Sequence, residues 1–574
     1  MSRIRKIEIQ HFRCIQKLDW TPSAGINCLI GHGDSGKSTV LDAIDLCLGA
    51  RRTVQFVDTD FYKLDVSRPI QISITIGELD DALKNLDAYG YYHRGFDIAT
   101  GNLLSEPEAK AETVLTLRLR VGADLEPSWS LYSERAEAQN QTRNLNWVDR
   151  VMLAPTRLGA SGEANLGWRK GSILNRISDE NADASAILVS AARDARKAFG
   201  DTAKSQVSET LAVVKKAAGE LGIPVGDVTA MLDANSMSLT SGTISLHDSD
   251  GVPLRSLGLG STRLLIAGLQ REAADQASII LVDEIEHGLE PHRIIRLISS
   301  LGAKEATPPL QVFLTTHSPV ALRELSADQL YIIRRVTNRH EVRNVGSHDD
   351  MQSTVRACPE AFLAPSVIVC EGASEIGLIR GLDISRTENG RSSIMALGVT
   401  LADGHGKTTF RRANAFIALG YRTLILNDSD EKPDEEEEAN FVHAGGLVLT
   451  WRNGNVLEKE LFASLSDAAV KKLIEAAVDN VGDVGIDENI KSASGNALNL
   501  AKCRDSVTNE TRLALGKAAS ANHKTRKASW FKSVTAMEQV GREVLAPDLA
   551  TCDAKLRTII EELFAWGNDG GKRD

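Results

Sequence analysis

Gly31-His32-Gly33-Asp34-Ser35-Gly36-Lys37-Ser38 meets every fixed position of the phosphate-loop pattern G-x-x-x-x-G-K-[S/T]. Its surroundings suit the pattern. Ile26 to Ile30 (INCLI) reads as a short buried strand, and Thr39 to Leu48 has the apolar spacing of a helix. Between such elements, Gly31 and Gly36 let backbone N–H groups turn toward a phosphate with no Cβ in the way. Lys37 brings a charge for the β- and γ-phosphates, and Ser38 a hydroxyl for Mg²⁺. Gly33, Asp34, Ser35 and Thr39 complete the expected nucleotide cradle.

The chain has 574 residues, which predicts two to four domains. Hydrophobic content of 42% and charged content of 25% are ordinary for a globular protein. No apolar run reaches the length of a membrane span, and the N-terminus lacks a signal-peptide core. Cysteines at 14, 28, 47, 358, 370, 503 and 552 form no C-x-x-C pair, so buried thiols in a cytoplasmic protein are expected. A net charge of −11 confines any nucleic-acid contact to local basic patches.

Alternating strands are expected near Ile7 to Phe12, at Ile70–Ile76 and at Val114–Arg120. From about Ala184 the composition turns alanine-rich. Leu188, Ala192, Ala195 and Phe199, then Val207, Leu211, Val214, Ala218 and Leu221, form heptad-like seams on two short helices. A helix pair packed on its own domain and a dimer interface both fit this spacing. Strands return at Ile244 to Leu246, with a turn at Asp248 to Gly251. Ser256-Leu-Gly258-Leu-Gly260-Ser261-Thr262 then opens a helix whose N-terminus suits an anion. Ser278-Ile-Ile-Leu-Val-Asp283-Glu284 is an apolar strand ending in two carboxylates. Asp283 is placed to share Mg²⁺ with Ser38, and Glu284 to activate the attacking water. Gln311 to Thr316 is a further buried strand ending at His317, a candidate sensor of the γ-phosphate.

This series resembles the ATP-binding-cassette heads of the SMC and RecF group, in which two subunits sandwich ATP. The span from Gly36 to Ser256, 256 − 36 = 220 residues, is too short for an SMC coiled-coil arm. The run Asp283-Glu284-Ile285-Glu286-His287-Gly288-Leu289-Glu290-Pro291 is similar to the E-E-P-E-x-x-L-x-P run of the OLD (overcoming lysogenisation defect) family, with Ile285 where proline is frequent.

Ala357 to Pro365 reads as a linker into a second half. There Ser366 to Cys370 is a strand followed by Glu371 and, four residues on, Glu375, which can face one pocket. Asp403 lies in a glycine-rich turn. Arg422 to Asn427 is a strand followed by Asp428 and Asp430, placed on one side by period-two spacing. Glu458 starts an apparent helix, and Glu435–Glu438 reads as a solvated loop. Converging carboxylates of this number require a hard cation. The E-G-x-x-E then D-x-D order resembles a Toprim domain. The resemblance implies one metal on Glu371, Asp428 and Asp430, a second on Glu375 with Asp403 and Glu458, and phosphodiester hydrolysis with Mg²⁺ or Mn²⁺. It also implies a lysine at the nuclease centre, for which Lys532 is the candidate.

Between Ala501 and Lys532 eight basic residues face two acids, with His523, Trp530 and Phe531 interleaved, a composition suited to DNA. The expected fold is α/β: an ABC/SMC-like ATPase head with an inserted helical dimerisation segment, followed by a Toprim domain. The expected bounds are 1–160 and 236–355 for the head lobes, 161–235 for the insertion and 356–574 for the nuclease half. The expected function is that of an ATP-hydrolysing, metal-dependent DNA endonuclease, a homodimer or larger homo-oligomer. The alternative is an SMC/RecF-like ATP-gated DNA clamp in repair, without nuclease activity. A topoisomerase would need a cleavage tyrosine, and no tyrosine follows Asp428. OLD-like nucleases are associated with phage defence, some beside a helicase-like partner as in Gabija systems.

Overall fold

The computed structural model describes residues 2–51, 54–158, 257–272, 278–452, 454–521 and 530–569, with isolated residues 194 and 249. The expected insertion at 161–235 with its heptad-like seams falls outside these apart from Asp194, as do the strand at 244–246, Ser256, His523, Lys524, Arg526 and Lys527.

The strands are β1 (Arg3–Phe12), β2 (Ile15–Trp20), β3 (Ile26–Ile30), β4 (Ile70–Gly77), β5 (His93–Asp97), β6 (Asn102–Leu104), β7 (Glu112–Val121), β8 (Pro127–Tyr132), β9 (Thr156–Leu158), β10 (Ile279–Val282), β11 (Gln311–Thr315), β12 (Leu330–Val336) and β13 (Arg339–Asn344). They form one sheet, in the order β6-β5-β7-β4-β1-β2-β13-β12-β3-β11-β10-β9, with β8 also on β7. Strands β12, β3, β11, β10 and β9 run parallel to their neighbours in that order. Every residue of β3, β10 and β11 is buried, as expected of parallel strands covered on both faces. This arrangement brings the residues after β3, β11 and β10 to one edge of the sheet. The helix Lys37–Leu48 leaves the phosphate loop and packs across β1, β4, β7, β10 and β11.

A second sheet, β14 (Ser366–Cys370), β15 (Val399–Asp403), β16 (Arg422–Asn427) and β17 (Leu447–Thr450), is parallel throughout and ordered β15-β14-β16-β17. The chain leaves β14 on one side to make β15 and returns on the other to make β16. A switch of this kind opens a crevice at the carboxyl ends of the two central strands.

Two expectations need correction. The stretch Ala357 to Pro365 is no exposed linker: Pro359–Leu363 forms a 3-10 turn, and Cys358, Ala361 and Phe362 are buried. Phe362 meets Phe416 and Tyr421 ring to ring. Its hydrophobic cluster runs without a break from Ile26, Val312 and Ile332 of the first sheet to Val367, Val369 and Ile425 of the second. Glu435–Glu438 is not a loop but the first turn of the helix Glu435–His443, capped by Asp434, whose side chain accepts from the Glu436 and Glu437 N–H groups. Four carboxylates are tolerated there because they face the positive end of the helix dipole.

Candidate functional site

The phosphate loop has the backbone its glycines permit. Gly36 has φ of 93°, a left-handed value, and its missing Cβ would lie 3.2 Å from Cys14 Sγ and 3.6 Å from the His340 ring. Burial, with the Arg335 charge adding, pushes His340 down to about 4, so a neutral imidazole packs there. Lys37 Nζ donates to Gly31 O at 3.1 Å and His32 O at 2.8 Å, and lies 3.4 Å from Ser35 Oγ. Burial lowers its pKa, opposed by Asp34, Asp283 and Glu284. Thr39 lies in the first turn of the helix, with Oγ1 3.4 Å from Cys14 Sγ.

The second part of this site arrives from β10 and β11. Ser38 Oγ donates to Asp283 Oδ1 at 2.9 Å, and Thr315 Oγ1 donates to the same oxygen at 2.7 Å. The pairing of a hydroxyl with a carboxylate is an all-oxygen donor set that suits Mg²⁺. Glu284 has φ of 47°, a costly value for a non-glycine residue; its N–H is fixed on Thr315 Oγ1 at 2.8 Å, while its side chain is exposed. His317 is exposed at the end of β11, the strand between β3 and β10, and its N–H donates to Glu286 Oε1 at 2.7 Å.

Gly258 and Gly260 lie at the start of the helix Leu259–Glu272. A Cβ on Gly260 would stand 2.6 Å from Gly288 O, so glycine is needed for the helix start to meet the turn after Glu284. Arg263 in this helix is 3% exposed and donates to Asp283 O (3.1 Å), Glu284 O (2.9 Å) and His287 O (3.0 Å). Arg157, at the middle of β9, reaches Asp42 at 2.6 Å and Asp283 at 3.6 Å. Glu286, Arg263, Arg157 and Asp42 are participants that sequence reasoning missed. Glu286 stood within the quoted acidic run, but an arginine inside a helix or on a three-residue edge strand carries no local signal.

In the second sheet, Glu371 follows β14 and Asp428 follows β16, at the two lips of the crevice. Asp428 N–H donates to Glu371 Oε2 at 2.7 Å, and Asp428 Oδ1 accepts from Leu457 N–H at 3.0 Å. Glu375 is buried in the first turn of the helix Ala373–Glu388, reaching back to Gly372 N–H at 2.9 Å. Glu458 is buried in the helix Leu457–Ser464. Burial first, then the charges of Glu371 and Glu458, pushes Asp428 up to about 8. Burial and Asp428 push Glu375 well up. Burial also raises Glu371, with Asp430 adding. Glu458 is raised by burial and by Glu371 and Asp430, against the pull of Lys532.

The remaining acids sit farther out. Asp403 ends β15 opposite Cys370, with Oδ1 accepting from His405 N–H at 2.8 Å. Asp430 is exposed, and since β16 stops at Asn427 the period-two pairing of Asp428 with Asp430 does not hold. Among the described residues, no three His, Cys, Asp or Glu side chains are close enough to clasp one ion as they stand. The donor set still fits a hard cation: all donors are carboxylate oxygens, and each raised acid marks negative charge that a cation would relieve.

The C-terminal basic stretch is corrected for its described part. Trp530 and Phe531 are fully buried, packed on one another and, through Trp530, on Phe462, so they offer no face to a base. Arg504 pairs with Glu475 and Asp483, and Arg512 with Asp467 and two carbonyls. Lys532 is exposed and acts electrostatically on Glu458.

A family model described as "AAA domain, putative AbiEii toxin, Type IV TA system" matches residues 26–323. The OLD nuclease of Thermus scotoductus (strain ATCC 700910 / SA-01) is 23% identical over 351 residues, which cover 58% of this chain and 62% of the relative. The match thus spans less than two thirds of that relative's length. Among solved structures, an SMC head bound to the C-winged helix domain of ScpA aligns with 15% identity and a TM-score of 0.33, over 59% of this chain and 97% of that one. The SMC head domain from Thermotoga maritima aligns with 11% identity and a TM-score of 0.28, over 60% and 99%. Likeness this loose says nothing of function. Among the described residues no helix is long and apolar enough to cross a membrane.

Proposed function

The chain belongs to the family described as AAA domain, putative AbiEii toxin, Type IV TA system, and from that premise we propose an ATP-hydrolysing, divalent-cation-dependent DNA endonuclease. Residues Gly31 to Thr39 cradle the triphosphate, Ser38 and Asp283 hold its Mg²⁺, Glu284 orients the attacking water and His317 meets the γ-phosphate. Ser256, Gly258 and Gly260 close the site from a second copy, which makes the working form a dimer. In the second half, Glu371, Glu375, Asp428 and Glu458, with Asp403 and Asp430 outside them, form a Toprim-type cation site. Its ions, when bound, activate water and stabilise the leaving 3′-oxygen. Lys532 carries positive charge to the mouth of that site and offsets charge developing on the phosphate. The OLD nuclease relative supports the nuclease part of this reading, to which we add a place in phage defence.

One observation carries the nuclease assignment. Glu371, Asp428 and the buried Glu375 and Glu458 gather at the switch between β14 and β16, where Asp428 N–H donates to Glu371 Oε2 at 2.7 Å, and burial, then their mutual charges, raises all four. Buried acids that repel one another cost stability, and a clamp with a decayed nuclease site would have no use for them. The test is incubation of the purified protein with supercoiled plasmid and Mg²⁺ or Mn²⁺, with and without ATP. Metal-dependent nicking or linearisation is expected. Intact plasmid under every condition, with ATP still hydrolysed, would instead favour the clamp.

A further inference from the structure

The two sites lie at the ends of different sheets, and a side chain on the strand beside β3 reaches the residues that open β16. Strand β12 runs parallel to β3, with Ile332 opposite Ile30, so Ile333 lies beside the first residue of the phosphate loop. The contact is close: a Cβ on Gly31 would stand 2.9 Å from Ile333 O. The next residue, Arg334, turns to the second sheet. Its guanidinium lies 3.7 Å from the centre of the Tyr421 ring and donates to Gly420 O. Tyr421 is buried, its hydroxyl donates to Phe362 O at 2.7 Å, and it leads directly into β16, whose far end delivers Asp428.

We propose that Arg334 is a positioning residue that passes the state of the phosphate loop to Asp428 through Tyr421 and β16. The inference rests on the reading of Asp428 as part of the cation site. The input is chemical. Lys37 Nζ donates to Gly31 O and His32 O, and a bound phosphate competes for that ammonium. Release of the Gly31 carbonyl alters the contact between Gly31 and Ile333, one residue before Arg334. The output is mechanical. A stacked guanidinium that also holds a backbone carbonyl fixes the start of β16 in two directions. From there about 20 Å of buried parallel strand leads to Asp428. Close packing of this kind transmits a displacement rather than absorbing it.

The test uses the full chain, with amide exchange over residues 421–430 followed with and without ATP, and plasmid cleavage measured beside it. ATP is expected to change exchange in that segment of the parent protein, and Arg334→Ala to abolish the change. The same variant should bring the ratio of cleavage rates with and without ATP toward one, by about fivefold or more. Its ATP turnover should stay within about twofold, which separates lost coupling from misfolding. Arg334→Lys, which keeps charge but loses planar stacking, should show an intermediate ratio, and Tyr421→Phe, which keeps the ring, should retain the response. Unaltered exchange in the parent on adding ATP would overturn the proposal, as would a full ATP response in Arg334→Ala. Exchange that responds through Arg334 in a protein that cuts no DNA would uphold the coupling and remove the nuclease reading instead.

Discussion

Ser38 Oγ and Asp283 Oδ1 stand 2.9 Å apart although 245 residues separate them along the chain. The bond exists because β3, β11 and β10 are parallel neighbours that end at the same edge, so residues distant in sequence are delivered to one place. Thr315, from the strand between, donates to the same carboxylate oxygen and accepts from the Glu284 N–H. The nucleotide site is therefore set by sheet order.

If Glu284 orients the attacking water, Glu284→Gln should lower ATP turnover by about 10²-fold with little change in nucleotide binding. Phosphate release and the fluorescence of a bound nucleotide analogue would separate the two. Lys37→Ala, in contrast, should weaken binding itself. Unchanged turnover in Glu284→Gln would remove that residue from its role.

Arg263 satisfies three carbonyls of the turn that presents Glu284. Its replacement by Met removes that donor from Asp283 O and His287 O, while Glu284 O keeps the His287 N–H, at a cost of about 1–3 kcal/mol. Urea denaturation should show the loss, and ATP turnover should fall with it because the turn loses its support. Arg263→Lys reaches fewer of the carbonyls and should recover only part of both.

The phosphate loop, Asp283 and the first acids of the second sheet were legible in the sequence because each follows a short, mainly apolar run, and such runs are buried parallel strands. What was not legible depends on contacts across the fold. Phe362 looked like part of a linker because alanines and prolines flank it, yet it is buried between the sheets. Trp530 and Phe531 sit among lysines in sequence but are buried against one another, Trp530 also meeting Phe462, and period-two logic failed for Asp430 because β16 ends three residues earlier. Arg263 and Arg157 find their partners only through tertiary structure.

Asp428→Ala should abolish metal-dependent DNA cleavage while ATP binding and turnover persist, as plasmid and phosphate-release assays would show. Lys532→Ala should reduce cleavage by about 10²-fold and leave the affinity for the cation nearly unchanged. Undiminished cutting by Asp428→Ala would sink the assignment of the second site.

The raised acids make a prediction about pH. Asp428 titrates near 8 in the folded protein against about 4 for an unperturbed aspartate. Between those values the folded state binds more protons than the unfolded one, so this group's contribution falls as pH rises from about 4 to 8. Glu371, Glu375 and Glu458 act in the same direction. In chelator, Asp428→Asn should therefore melt higher than the parent by several degrees at pH 8 and differ little at pH 4–5. Added Mg²⁺ should stabilise the parent more than the variant. A parent and variant with the same pH dependence of melting would show that Asp428 does not carry the charge strain.

The buried turn around Phe362 has a consequence for how the molecule comes apart. Because the two sheets draw on one hydrophobic cluster, the turn Pro359–Leu363 that leads from one to the other offers a protease no exposed hinge. Cutting the gene near codon 360 would leave each fragment with an uncovered apolar face, prone to aggregate. On denaturation, the phosphate-loop sheet and the carboxylate sheet should melt in a single cooperative step, as one folding unit.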